Sequence, residues 1–320
     1  MSTSGSISFT QTRDQLITDT LMLLGVVGSG ETAGTNDINL CSNILNKMLK
    51  GWESMGIHLW TESQGILYLN NNQAKYTLVS SGGDFASDGT GTPEITTLNG
   101  AGSGSAIIVV STTGMSTNDN IGICLDNNTI QWTTISSIVG TTVNLNASLT
   151  SAASSGNTVY TFTSQCPKPL SIQNAQLRDN NNFDRPVKII NRQEYRMIPQ
   201  KTLTGQPVVL YYSPQLSNGL ISLWPAPSAV NYSLHFTYLR TIQDLVSGTD
   251  NFDLPQEWLE AITYNLAVRL APAYGISLTT SGLQGNPGLV SQAAEYLEAL
   301  KAWDAEQPYV QIIPNDRYKN

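Results

Sequence analysis

Charge is what this chain has least of. Only 12% of its 320 residues are Asp, Glu, Lys or Arg, about half the roughly 25% usual in soluble domains. Its surface must therefore be built from Ser, Thr, Asn, Gln and Gly. That fits an uncharged polar β-protein, or a surface largely covered by partners, because interface cores are depleted in charge. Cysteine and histidine are scarce too. Cys41, Cys124 and Cys166 are odd in number and lack Cys-x-x-Cys spacing, so no disulfide framework is implied. Cys41 falls on a helical apolar face and Cys124 in an apolar strand, where each reads as a small buried hydrophobe. The two histidines, His58 and His235, lie in or beside expected strands, where lone histidines usually serve structure. HExxH, clustered Cys/His and EF-hand spacings are missing, so no metal and no cofactor is expected. No apolar run approaches the roughly 20 residues of a membrane span, and residues 1–10 have neither the basic nor the apolar region of a signal peptide. Synthesis and assembly in a reducing cytoplasm, without a membrane partner, are the expectation.

The charges present are unevenly placed. The net charge of −8 argues against general nucleic-acid binding, yet residues 168–201 hold seven of the sixteen basic groups: Lys168, Arg178, Arg185, Lys188, Arg192, Arg196 and Lys201. Residues 76–167 hold none. A basic patch of this kind can meet DNA phosphates in a non-specific, salt-sensitive way; the alternative is a solvated face of strands and loops.

Helical signals sit at the two ends. Thr12-Arg13-Asp14-Gln15 has capping-box spacing and leads into Leu16, Ile17, Leu21 and Leu24, closed by Gly25. After a Gly-rich loop, Thr35, Asn36 and Asp37 are candidate caps for a second helix bearing Cys41, Ile44, Leu45, Met48, Trp52 and Met55; such a stripe fits packing against the first. Asp253-Leu254-Pro255-Gln256 reads as the start of a third, with Leu259, Ile262, Leu266 and Leu270 on one face and Pro272 and Gly275 at its end. A fourth starts at Asn286-Pro287 and buries Leu289, Ala293, Tyr296, Leu297 and Leu300.

Between them the period changes to two. Residues 220–224 and 232–239 alternate as strands around Pro225-Ala226-Pro227, which reads as a hairpin handing over to the third helix. Residues 59–69, 75–79, 187–190 and 208–212 are further strands. Residues 80–165 contain no Lys or Arg and show short β runs at 107–110, 121–125, 129–138, 142–145 and 158–162, with Asp126-Asn127-Asn128 as a hairpin turn. The fold class expected is therefore α+β. About four helices and a small antiparallel sheet would form a discontinuous body (residues 1–79 and 166–307), with an all-β sandwich or barrel (80–165) between its two parts. Residues 308–320 are too apolar for an inert tail and too short for a domain, and such segments dock on another subunit or on their own domain.

Little in the sequence suggests catalysis. Gly25-Val26-Val27-Gly28-Ser29-Gly30 has the glycines of a phosphate loop but follows a helix and lacks the Lys-Ser/Thr pair. Asp250 with Asp253 and Glu257 with Glu260 lie at a helix start, where acidic groups favour the dipole. The Tyr and Trp of residues 220–239 fit core packing better than a stacking platform.

Leu223-Trp224-Pro225-Ala226-Pro227, residues 232–238, Asp253-Leu254-Pro255-Gln256-Glu257-Trp258 and Tyr264-Asn265-Leu266-Ala267 together resemble the C-terminal half of phage head-to-tail adaptors, the tail accessory (packaged-DNA stabilisation) and tail tubular adaptor proteins of short-tailed phages. Residues 45–60, with Trp52-Glu53-Ser54-Met55-Gly56, resemble that family's N-terminal half, and resemblance on both sides implies that residues 80–165 are a β domain inserted into a loop, where insertions cost little. The resemblance implies a structural, non-enzymatic virion protein assembled in the host cytoplasm. It would form a homo-oligomeric ring of twelve copies beneath the portal protein, extend and seal the DNA channel, and connect to tail nozzle or fibre proteins. Docking on the portal or a neighbour would fall to Pro308, Tyr309, Val310, Ile312, Ile313, Arg317 and Tyr318. Channel DNA would be met by Arg178, Arg185, Lys188, Arg192, Arg196 and Lys201. Two other readings stand beside this one: a glycan- or host-surface-binding protein acting through the inserted β domain, and a hydrolase built on the unassigned carboxylates.

Overall fold

Apolar residues repeat every three to four positions at the two ends of the chain and every second position between them, and this switch of period is what the structure separates. The computed structural model describes residues 5, 9–55, 61–89, 94–278 and 287–303. They fall into two compact units, one of residues 1–61 with 242–320 and one of residues 62–241. The helices are α1 (Arg13–Leu23), α2 (Thr35–Ser54), α3 (Arg192–Met197), α4 (Trp258–Leu270) and α5 (Pro287–Trp303).

The first unit is helical. Thr12 and Gln15 form the expected capping box, and Gly25, at φ 71°, takes the left-handed turn that ends α1. Helix α4 packs on α1, α2 and α5. Leu16, Ile17, Leu21, Cys41, Leu45, Met48, Ile262 and Leu266 share one core with Trp52 and Trp258, whose ring centres lie 6.1 Å apart. Two helix starts differ from expectation. Gly34 is the N-cap of α2 and makes no side-chain cap bond, leaving Thr35 inside the helix. Helix α4 begins five residues later than its Asx signal, because the Asp253 carboxylate instead accepts from the Gln243 amide at 3.2 Å. Met55 ends the α2 stripe in solvent, 61% exposed.

The second unit is β, with strands numbered β1 to β17 in chain order. A five-stranded sheet runs β11 (Asp184–Pro186), β10 (Ser171–Asp179), β17 (Tyr232–Leu239), β1 (Glu62–Tyr68), β3 (Ala86–Ser87). A four-stranded sheet runs β12 (Lys188–Ile190), β14 (Val209–Pro214), β15 (Gly219–Trp224), β2 (Lys75–Leu78). Leu67, Leu234, Phe236 and Tyr238 of the first and Tyr76, Leu210, Ile221 and Leu223 of the second fill one core, so the pair is a sandwich. Strands β13 (Thr204–Gly205) and β16 (Ala226–Pro227) form a small parallel pair. The third large sheet runs β4 (Glu94–Thr97), β9 (Thr158–Phe162), β6 (Asn120–Cys124), β7 (Ile130–Val139), β8 (Thr142–Leu145), β5 (Ala106–Ile108). Its ends meet: Asn99 N–H donates to Ile108 O at 2.8 Å and Val110 N–H to Thr97 O at 2.9 Å. The sheet thus curls closed around Leu98, Ile107, Val109, Ile121, Ile135 and Val143, and closure removes its exposed edges.

An aromatic cluster joins this closed sheet to the sandwich. Tyr68, Cys124, Tyr160, Phe162 and Val230 are buried together with Phe85 and Trp132 against them. Tyr68 lies 4.7 Å from Tyr160 and 5.3 Å from Trp132, and Phe85 stacks on Trp132 at 4.3 Å. Gly122 is required here: it pairs with Trp132 across the ladder, and a Cβ would meet the indole at 2.8 Å.

The expected helical-bundle body with a small antiparallel sheet is not what the chain forms. Strands predominate, in four sheets, because residues 62–78 and 171–239 alternate with period two and pair among themselves instead of joining the helices. Nor do residues 220–239 form a hairpin. Strand β15 pairs with β14 and β2, and β17 with β1 and β10, so the Pro225 break carries the chain from one sheet to the other. Helix α3, capped by Asn191 and Glu194, is only six residues long, too short to show an apolar period in the sequence.

Candidate interaction surface

The basic residues of 168–201 are positioned by β10, β11, β12 and α3. Asp179 accepts from the amides of Asn181 and Phe183 at 2.9 and 3.1 Å, and that turn folds β11 back on β10. Arg178 and Asp184 then meet face to face in two bonds of 2.7 Å. Each charge holds the other: the guanidinium keeps the Asp184 carboxyl below its ordinary range, so Arg178 brings no free positive charge to a ligand. Arg185 lies over the Phe183 ring at 5.3 Å and donates to the Gln206 side chain. Lys188 is exposed on β12, the edge strand of its sheet, opposite Val209.

In α3 the capping box fixes the register that leaves Arg192 and Arg196 exposed and Tyr195 buried. Tyr195 stacks on Tyr211 of β14 at 5.3 Å. Lys201 closes the helix C-terminus, donating to Arg196 O at 3.2 Å and Ile198 O at 2.8 Å, a favourable place for a cation. Five of the seven basic side chains therefore sit along one connected stretch, β11 to α3 to residue 201. Lys168 instead donates to Leu216 O at 3.3 Å, in the β14–β15 turn. Apolar groups accompany the cations: Phe183, Met197, Leu203 and Val208 are 40 to 70% exposed.

A second feature lies on the outer face of the five-stranded sheet. Gln64, Asn174, Gln176, Arg178, His235 and Thr237 line a concavity of about 510 Å³. His235 bonds Ser233 Oγ at 3.1 Å, and burial, helped by Arg178, lowers its pKa to about 4. It is neutral at physiological pH, so the concavity offers uncharged donors and acceptors beside the Arg178–Asp184 ion pair.

The carboxylates weighed for hydrolysis are otherwise occupied. Asp250 accepts from the amides of Val246 and Ser247 at 2.8 and 2.6 Å, Asp253 caps Gln243, and Glu260 lies beside the Tyr296 phenol. What the sequence did not reveal is how the helical unit holds residues 242–246. Asn46 bonds both the N–H and the C=O of Leu245 at 3.1 Å, Glu53 accepts from Ile242 N–H at 3.0 Å, Lys50 donates to Ile242 O, and Arg13 donates to Val246 O at 2.7 Å. The 46, 50, 53 spacing marks one helix face, but nothing local names its acceptor. The cysteines are free and buried; burial pushes the Cys124 and Cys166 thiols up to about 12, which makes them unreactive hydrophobes. His58 and the docking residues of 308–320 lie outside the described residues. Among those described, no group of three His, Cys, Asp or Glu side chains is placed to hold a metal, and no helix is long and apolar enough to cross a membrane.

The sequence matches the family model described as SU10 adaptor protein over residues 133–311. That is more than half of the chain, which therefore belongs to this family of structural phage adaptors. The matched stretch runs from inside β7 through β17 to α5 and beyond, and so takes in part of both units. No curated protein matches the sequence.

Proposed function

We propose that this adaptor forms a ring beneath the portal of a phage head, extends the DNA channel and carries tail components on its far side. The family match across both units carries the reading. Physically, a ring suits a chain whose charge is low, because subunit contacts that are weak singly become stable when repeated around a symmetric platform. Residues 308–320 dock on the portal or on a neighbouring copy, and the closed sheet of β4 to β9 faces outward toward tail fibres or nozzle.

Mass photometry and negative-stain imaging of the full chain test this, alone and mixed with the portal encoded in the same genome, with and without residues 308–320. The expected result is a discrete collar on the portal that is lost on truncation. A chain that ignores the portal in both forms overturns the reading.

A further inference from the structure

The two units differ sharply in charge. Residues 1–61 with 242–320 hold seven basic and fifteen acidic residues, net −8, whereas residues 62–241 hold nine of each. The whole net charge of the protein thus belongs to the helical unit, and seven of the β unit's nine cations lie in 168–201. We propose that the basic and apolar face built by β11, β12, α3 and residues 200–208 docks on the acidic α4–α5 side of the helical unit of a second copy of this chain. This deepens the ring reading and rests on it, because it names the surface through which copies join.

Three observations favour a protein partner of this kind. The first is composition. Arg185, Arg192 and Arg196 accompany exposed Phe183, Met197, Leu203 and Val208, and Arg, Met and aromatic side chains are the ones enriched in protein interfaces, whereas nucleic-acid interfaces are more polar. The second is complementarity. Glu257, Glu260 and Glu295 are exposed, as is Glu298, which pairs with Lys301 at 3.0 Å, and Glu260 and Glu295 lie close enough to act on the same Tyr296 phenol. Tyr296 packs edge-on against Tyr264 at 5.0 Å, and Asn265 of α4 donates to Ala293 O of α5 at 2.9 Å, so the two helices present these acids as one fixed group. The third is geometry of assembly. A contact between different faces of identical chains is heterologous, and such contacts generate rings when the rotation closes. Exposed ion pairs are weak one by one, but they steer docking and reject wrong registers.

Charge-swap variants of the full chain provide the test. Arg192→Glu with Arg196→Glu reverses the basic face, and Glu295→Lys with Glu298→Lys reverses the acidic one; all four side chains are exposed, and unchanged circular dichroism checks that each variant folds. Self-association is followed by sedimentation velocity and mass photometry, alone and on portal rings, at low and high salt. The expected result is that each variant alone loses association at least tenfold, that the wild type weakens with salt, and that combining both reversals in one chain restores assembly. Association unchanged by either reversal, or lost without recovery in the combined chain, overturns the proposal while leaving the ring intact as a reading. A wild type that assembles neither alone nor on the portal removes the ring reading itself. If Arg192→Glu with Arg196→Glu abolishes fluorescence-anisotropy binding to a 30-base-pair duplex but leaves assembly untouched, the face serves DNA and the proposal falls.

Discussion

The helical unit and the β unit satisfy their backbones by different means, and this sets what each has left for its surface. In the β unit the backbone pairs strand to strand along the ladders. Lys188 on an edge strand, and Arg192 and Arg196 on α3, stay exposed. In the helical unit the backbone of residues 242–247 is held largely by side chains, those of Arg13, Asn46, Lys50, Glu53 and Asp250, while the carbonyls of Gly248 and Asp250 accept from the Asp14 and Arg13 amides. Five polar side chains are thereby consumed in holding backbone. Because the helical unit also bears the whole net charge, the exposed acids that remain give it a surface opposite in sign to the β11–α3 face.

The largest expected effect comes from removing the glue of the β unit. Phe162 is 3% exposed and lies 5.7 Å from Tyr68 and 5.6 Å from Trp132. Phe162→Ala should cost about 3–5 kcal/mol, as large-to-small core changes do. Hydrogen exchange measured by mass spectrometry should speed up in residues 62–68 and 94–162 while α1, α2 and α4 keep their protection. Equal acceleration in both units would show that they unfold as one body, and the comparison would break. Next in size, Asn46→Ala orphans both polar groups of Leu245, which is itself 3% exposed. A loss of about 1–3 kcal/mol is expected, with exchange rising in residues 242–250 alone.

Local chemistry was legible wherever the deciding groups are close in sequence. The Thr12 capping box, the Gly25 and Gly275 helix ends, and the strands Thr142–Leu145 and Thr158–Phe162 could all be read directly, since each depends on spacing of a few residues. What was not legible depends on distant partners. The alternation of residues 232–239 fixes which side chains share a face but not which strands lie beside them, so two strands of a sandwich look locally like a hairpin. Helix α4 carries a good start signal at Asp253, yet a loop amide at Gln243 claimed the carboxylate. The basic cluster was visible as composition, but only the β10–β11 turn reveals that Arg178 is spent on Asp184 while Arg192 and Arg196 remain exposed. The aromatic cluster draws Tyr68, Phe85, Trp132, Tyr160 and Phe162 from separate elements, which no window of sequence contains.

A smaller effect separates the units by pH. His235 has a pKa near 4 in place of 6.5, first because burial disfavours the imidazolium and second because Arg178 repels it. The unfolded chain therefore binds the proton more tightly. This part of the stability is full above pH 6.5 and is lost as pH falls toward 4. Since the ring is partly exposed, the loss should be about 1–2 kcal/mol after allowing for solvent screening. Urea midpoints of the β unit between pH 7 and 4 should show it, and His235→Gln should flatten the curve. A helical unit that loses as much over that range would trace the pH dependence to its carboxylates instead.

The smallest effect has the least expected sign. Tyr68 is 2% exposed at the centre of the aromatic cluster, and its hydroxyl has no hydrogen-bond partner among the described residues. Tyr160, beside it, donates to Val230 O at 3.2 Å. A buried hydroxyl without a partner costs roughly 1–3 kcal/mol, whereas a bonded one contributes about 1. Tyr68→Phe should therefore raise the stability of the β unit by about 1 kcal/mol, and Tyr160→Phe should lower it by a similar amount, both measured by denaturant unfolding. The ring stays in both variants, so packing is held constant and only the hydroxyl is compared. If Tyr68→Phe destabilises instead, the hydroxyl is bonded to an ordered water, and the junction between closed sheet and sandwich is a wet seam. The sign of this one substitution therefore decides whether the junction between closed sheet and sandwich is dry or holds water.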